Sequence, residues 1–324
     1  MVKAVALFSG GLDSMLAAEV VRRLNIEVLC LTFETPFFNA QKAQDAARQI
    51  NLRLVVENFT ADHLTMLKSP RYGYGKNMNP CIDCHTLMLK FAGRKMEEIG
   101  ADFILTGEVL GQRPMSQGKQ SLFVVAKNSG YPDYILRPLS AQLLEPIKAE
   151  REGKIDRSGL LAIQGRGRKQ QMQLAADFGI NSYAPPAGGC LLTDPMFSRR
   201  LRDLFSRHED RQIRDIELLK YGRHFRINDN CKIIVGRNNA DNDALQELAS
   251  DNDHVLFMAD YPGPLVIVPY GSQEATQNTA AALCVRYSDA PDNTEARVTI
   301  RKGNILTTIN ARASARDDCE RWII

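Results

Sequence analysis

A chain of 324 residues is longer than one hydrophobic core usually serves, so two domains are expected, and 44% apolar with 24% charged residues is ordinary globular composition. The net charge of +3 is too mild to imply a nucleic-acid partner by itself, and no basic leader runs into an apolar segment at the start. No apolar stretch approaches the roughly 18 residues needed to span a bilayer, so no membrane and a cytoplasmic location are expected. Seven cysteines, an odd number, do not read as a disulfide framework in a reducing compartment, and any cysteine cluster points first to metal or catalysis.

In chain order, Val2 to Phe8 is a short apolar run of strand length, and from Asp13 onward Leu16, Val20 and Leu24 recur at helical spacing. Glu27 to Phe33 ("EVLCLTF") predicts a second buried strand, Gln41 to Ile50 a helix and Leu52 to Phe59 a third strand. After a loop, His85 to Gly100 predicts an amphipathic helix and Asp102 to Gly107 ("DFILTG") the next strand. Strands alternating with helices of about 10 to 15 residues imply an α/β fold, a doubly wound parallel sheet with helices on both faces. The alternation weakens after Leu136. A basic loop and one helix occupy "QGRGRKQQMQLAADFGI", and Ser198 to Arg226 reads as charged and helical. Short strands follow in "CKIIVGRN", "HVLFMAD", "LVIVPYG", "EARVTI" and "NILTTI". The expected organisation is an α/β domain over 1–200 and a smaller α+β domain over 201–324.

The junction of the first strand and helix reads Ser9-Gly10-Gly11-Leu12-Asp13-Ser14. In open α/β sheets, ligands sit at the carboxyl ends of strands, and a helix N-terminus there attracts anions. Gly10 and Gly11 let the backbone turn tightly so that several N–H groups can face one phosphate chain. Ser9 and Ser14 add hydroxyls, and Asp13 can cap the helix or hold magnesium. The bland alternative is a capped helix with no ligand. A Walker A loop is excluded by spacing and by the lack of lysine, and a Rossmann dinucleotide fingerprint by the missing G-x-G-x-x-G. "SGGLDS" resembles the signature of the PP-loop ATP pyrophosphatases, in which ATP is cut between the α and β phosphates and the substrate is adenylated. The resemblance implies that Ser9, Gly10, Gly11, Asp13 and Ser14 hold the pyrophosphate of ATP with Mg2+. It also implies that the adenine lies against the end of the second strand, at Leu31 to Phe33.

"NPCIDCH" places Cys81 and Cys84 three residues apart. A c-type haem attachment needs export, which nothing supports; a redox pair, a zinc site completed by Cys190 and His85, or two buried structural cysteines are the other readings. The stretch resembles the N-P-C-x-x-C-N-x-x-x-K-F segment of tRNA 2-thiouridylases, with His85 in place of asparagine. "LTGEVLGQRPMSQ" (Leu105 to Gln117, with Gly107), "RPLS" with "EPIK" (Arg137 to Lys148), and "AGGCLLTDP", which carries Cys190, resemble tRNA 4-thiouridine synthetases. Those synthetases usually carry an RNA-binding domain ahead of the catalytic strand on which this chain begins. The resemblance implies that a uridine carbonyl of tRNA is adenylated and its oxygen replaced by sulfur, from sulfide or a persulfide carrier as donor. Either Cys190 carries a persulfide that Cys84 resolves, or Cys81, Cys84 and Cys190 hold a [4Fe–4S] cluster; three cysteines in place favour the cluster. Cys30, Cys231 and Cys284 read as structural, and Cys319 lies near the tail.

Positive charge concentrates in Gly165 to Lys169 ("GRGRK") and Ser198 to Arg207, in a form suited either to phosphate contacts or, with Glu209, Asp210 and Asp215 following, to a solvated helix face. Ile233 to Val268 and Ala280 to Ala290 resemble the RNA-binding module of NFACT proteins, although "HVLFMAD" lacks that module's tryptophan; His254 can stand in for it, or simply be hydrogen-bonded at a strand start. These features imply a tRNA sulfurtransferase. One rival is a PP-loop amidotransferase or ligase of small molecules, which should lack the three placed cysteines. The other is a non-catalytic RNA-binding adaptor, for which an intact "SGGLDS" would have no use.

Overall fold

The computed structural model describes residues 1–113, 115–183, 189–207, 212–270 and 276–324. Pro114, the Ala187 and Gly188 of the Cys190 motif, and Glu209 and Asp210 lie outside the described residues. The chain divides into two compact units, Met1–Thr193 and Asp194–Ile324.

The first unit runs β1 (Lys3–Leu7), α1 (Leu12–Arg22), β2 (Glu27–Glu34), α2 (Gln41–Gln49), β3 (Leu54–Asn58), α3 (Thr60–Lys68), α4 (Cys81–Ile99), β4 (Phe103–Thr106), α5 (Lys119–Ser129), β5 (Ile135–Leu136), α6 (Lys148–Arg151) and α7 (Lys169–Asp177). Its five strands are all parallel in the order β3-β2-β1-β4-β5. Side chains alternate across a strand, so β1 serves two cores. Ala4 and Ala6 join Leu16 of α1, Ala43 of α2 and Ala175 of α7 on one face, while Val5 joins Leu89 and Met96 of α4 and Val125 of α5 on the other. A strand covered on both sides has no polar face, which is why "KAVAL" and "FILT" are continuous apolar runs. The chain leaves β1 toward β2 and β3, then returns to β4 on the opposite side. The switch point therefore lies between β1 and β4, whose ends pair Leu7 with Thr106.

Helix α4 begins at Cys81 rather than His85, so both cysteines belong to its first turn. Pro80 precedes the first helical residue, and Asp83 adds negative charge at the positive end of the helix. Helices α3 and α5 add to the elements expected from the sequence pattern. The stripe of α5 (Leu122, Val125, Ala126, Ser129) has helical spacing, whereas that of α3 (Thr60, His63, Leu67) is half polar and hides its periodicity.

The second unit runs α8 (Pro195–Arg207), α9 (Ile213–Leu218), β6 (Arg223–Asn228), β7 (Cys231–Val235), α10 (Asn239–Leu248), β8 (His254–Met258), β9 (Val266–Val268), α11 (Thr276–Arg286), β10 (Ala296–Lys302), β11 (Ile305–Ala311) and α12 (Arg316–Trp322). Its antiparallel sheet has the order β11-β10-β8-β9-β7-β6, with α11 buried against it through Ala280, Ala281, Leu283 and Cys284. The expected helix from Ser198 to Arg226 is corrected: Gly222, at φ +74, turns the chain into β6, and a Cβ there would sit 2.7 Å from the Val235 carbonyl. The first compact unit ends at Thr193, ahead of α8. Arg200 ties α8 into the second unit by donating to the carbonyls of Leu219 (2.9 Å) and Gly222 (3.0 Å).

Candidate active site

The loop Ser9–Gly11 leaves β1 at the switch point, and α1 starts at Leu12 with Gly11 as its N-cap. Asp13 is therefore not the cap; it lies in the first turn of the helix. Gly10 adopts φ +73, and a Cβ on it would collide with the Lys42 carbonyl of α2. The Ser14 hydroxyl donates to the Gly11 carbonyl at 2.8 Å and lies 3.4 Å from the Ser9 hydroxyl. On the β4 side, Gly107 lets the two loops touch, for its Cβ would stand 2.5 Å from the Ser14 nitrogen. Gly107 thus acts by having no side chain.

Asp13 accepts from Gln112 Nε2 at 3.1 Å through Oδ2, and its Oδ1 is buried without a partner. Burial raises its pKa, against the pull of Gln112 and of the nearby Arg168, Arg113 and Gln171. Gln171 of α7 is wholly buried beside Asp13 and helps to hold its carboxylate ionised. A buried, unpaired carboxylate oxygen behind a glycine loop is suited to a hard cation.

From this loop two routes lead to the cysteines. Glu108, next to Gly107, accepts from Arg137 Nε at 2.9 Å and meets His85 Nδ1 at 3.1 Å, and His85 adjoins Cys84. On the other side Lys42 Nζ would stand 3.5 Å from a Cβ on Gly189, which adjoins Cys190. Burial alone would raise the Glu108 pKa, but the Arg137 charge and the His85 contact hold it down at about 2.

Cys81, Cys84 and Cys190 are free thiols that act on one another electrostatically. Burial, reinforced by Cys190, Cys81 and Asp83, pushes Cys84 well above the usual thiol range; burial takes Cys190 to about 11. Asn79 Nδ2 donates to Cys81 Sγ at 3.2 Å, and His63 Nε2 lies 3.6 Å from Cys84 Sγ. His63 is enclosed by Phe37, Phe38 and Phe59, and burial lowers its pKa to about 4, which keeps the ring neutral. Among the described residues no three His, Cys, Asp or Glu side chains converge on one ion position, and His85 is engaged by Glu108. A lone zinc ion completed by His85 is therefore not built here.

Leu31 and Phe33 face inward. Phe33 packs 4.6 Å from Phe59 between ring centroids, and the Leu31 carbonyl accepts from Phe8 N–H at 2.8 Å, so neither side chain presents itself to a nucleotide. In the second unit Cys231, Cys284 and Cys319 are buried, as is Cys30 in the first. Arg200 is buried and spent on backbone carbonyls, which removes it from the basic stretch expected to touch phosphate; Arg199 and Arg202 remain exposed. His254 meets Gln277 Nε2 at 3.1 Å. Lys42, Gln171 and His63 carry no motif that would single them out, whereas Glu108, Gln112 and Arg137 stand inside motifs that assign them no role.

Residues 1–149 match the family model of thiamine biosynthesis protein (ThiI), and residues 222–323 match the NFACT protein RNA binding domain. A "Probable tRNA sulfurtransferase" of Thermococcus kodakarensis is 30% identical over 146 residues, 42% of this chain and 36% of that protein. One of Ureaplasma parvum is 31% identical over 153 residues, 45% and 38% of the two chains. A solved "4-thiouridine synthetase - RNA complex with bound ATP" matches at 21% identity and TM-score 0.37, covering 55% of this chain and 51% of that one. The chain spans little more than a third of the length of these curated relatives. In sequence, then, the segment with the glycine loop and the Cys81–Cys84 pair is similar to ThiI, and residues 222–323 are similar to the NFACT protein RNA binding domain.

Proposed function

We propose that this chain is an ATP-dependent tRNA sulfurtransferase that converts a uridine to a thiouridine. What supports the reading is the match of residues 1–149 to the ThiI family model, with a glycine loop at the sheet's switch point and with Cys81, Cys84 and Cys190 near enough to influence one another's ionisation. A small-molecule ligase of the same fold has no use for Cys81, Cys84 and Cys190, and an adaptor has no use for the unpaired carboxylate oxygen of Asp13.

In this reading the α1 N-terminus, Ser9 and Ser14 orient the phosphates, and Asp13 would hold Mg2+ through its unpaired oxygen. The uridine carbonyl oxygen attacks the α phosphorus of ATP, and the bond to the β phosphate breaks to release pyrophosphate. A sulfur nucleophile then attacks the same carbon; the C–O bond breaks, AMP leaves with the oxygen, and a thiocarbonyl remains. No three side chains converge on one ion position among the described residues, but Cys81, Cys84 and Cys190 influence one another's ionisation; they would hold a [4Fe–4S] cluster, which, when bound, would supply an open iron for sulfide. The donor is sulfide or a persulfide carrier, and the residues from about 201 onward bind the tRNA.

The test is direct. Incubated with ATP, unmodified tRNA and sulfide, the protein should form AMP and pyrophosphate and yield thiouridine on nucleoside mass spectrometry, and Asp13→Ala should stop both while leaving the circular dichroism unchanged. Release of ADP and phosphate would overturn the reading.

A further inference from the structure

Residues 63–82 and 109–132 contain no aspartate or glutamate, yet they carry Lys68, Arg71, Lys76, Arg113, Lys119 and Lys127. All six are exposed, and among the described residues none forms an ion pair. Other cations of this unit do pair with carboxylates, as Lys3 with Glu27, Lys95 with Glu57 and Lys154 with Asp102. Large rings and a thioether stand among the six: Tyr72 and Tyr74 are each 41% exposed, Phe123 64% and Met115 75%.

The two segments form one surface. Arg71 Nη1 donates to Asn128 of α5 at 3.4 Å, Asn128 Nδ2 donates to the Tyr72 hydroxyl at 3.0 Å, and the Arg71 guanidinium lies over the Tyr72 ring. The loop is also pinned to the cysteines from both sides. Asp83, between Cys81 and Cys84, accepts from the backbone N–H groups of Arg71 (3.1 Å) and Tyr72 (3.0 Å). Asn77 Nδ2 donates to the Thr193 carbonyl at 2.6 Å, Met78 N–H to the Leu192 carbonyl at 3.2 Å, and Asn79 to Cys81 Sγ. An exposed loop held at this many points presents its rings in fixed positions.

We propose that the loop 68–76 and the outer face of α5 form the platform on which a single-stranded stretch of the RNA substrate is laid, with Tyr72 and Tyr74 stacking the bases next to the target. The inference rests on the RNA substrate proposed above and adds where the first unit takes hold of it. Unpaired cations attract any anion, but exposed rings among them suit an anion that also offers flat faces, and unstacked nucleotides do so. A base buried in a duplex cannot reach a thiol; one splayed open on this loop lies beside Cys81 and Cys84. An acidic peptide would satisfy the charges and offer the exposed rings no flat face to stack on.

The full chain is tested with a labelled oligouridine of about ten nucleotides, titrated between about 50 and 200 mM salt. Replacing Lys68, Arg71 and Lys76 together by Ala should lower the slope of log affinity against log salt by about two, at about 0.7 for each phosphate of the single strand that no longer meets a cation. Tyr72→Ala and Tyr74→Ala should each weaken binding by about tenfold, while Tyr72→Phe should hold it within about twofold. A 5-bromouridine probe should cross-link to the peptide that spans residues 69–76. Retained ATP binding and an unchanged melting temperature separate loss of the surface from loss of the fold. Unchanged slope and affinity in the alanine variants, or cross-links confined to the second unit, overturn the platform even if tRNA is thiolated. Weakened oligouridine binding in a protein that forms no thiouridine keeps the platform and removes the proposed reaction.

Discussion

Replacing Glu108 by Gln should cost the first unit about 3 kcal/mol and move its acid stability. Glu108 and Arg137 are both less than a tenth exposed, and the carboxylate also receives His85 and the Thr106 hydroxyl, at 3.1 Å each. The carboxyl pKa falls from its ordinary 4.5 to about 2, and at about 1.4 kcal/mol per tenfold change that drop is worth about 3 kcal/mol. Removing one partner of a buried pair typically costs ~3–5 kcal/mol, in agreement. Because the folded-state value lies below the unfolded one, this stability is present in full above pH ~4.5 and lost as pH falls through about 2. The sole tryptophan, Trp322, lies in the second unit, so its fluorescence does not follow the first. Hydrogen exchange of β1 and β4 amides in urea, at pH 3 to 7, reads the right unit. The difference between wild type and Glu108→Gln should be flat above pH ~5 and shrink toward acid. A loss under ~1 kcal/mol at neutral pH, or a difference independent of pH, would refute the assignment of a net favourable buried pair.

Anaerobically purified protein should be brown with about four irons per chain, and Ala at Cys81, Cys84 or Cys190 should each remove the colour; full thiolation by Cys81→Ala with no iron would instead favour the persulfide route. Arg200→Ala should lower the stability of the second unit by about 2–4 kcal/mol, since two buried carbonyls lose a charged donor, as read by Trp322 fluorescence in urea. Arg199→Ala and Arg202→Ala should leave stability unchanged and each lower the salt slope of tRNA binding by about one.

The parallel sheet was legible in the sequence because strands covered on both sides must be apolar throughout, and "KAVAL", "EVLCLTF" and "FILT" announce that without help from distant residues. The loop from Ser9 to Ser14 was legible for a similar reason: Gly10 is demanded by a left-handed backbone, which is local to a strand–helix turn. What surrounds the loop was not. Gln171, His63 and Lys42 reach the site only because the sheet order brings α7, α3 and α2 to its carboxyl end, and a single polar residue on an otherwise ordinary helix leaves no periodic trace. The segment from Ser198 to Arg226 shows the opposite failure, for its charge pattern suits a helix and only the packing of His224 and Phe225, with the turn at Gly222, makes β6 a strand. Arg200 looks in sequence like one of three surface cations; tertiary structure buries it, because the nearest free carbonyls, those of Leu219 and Gly222, belong to a turn about twenty residues away and no local rule reports them.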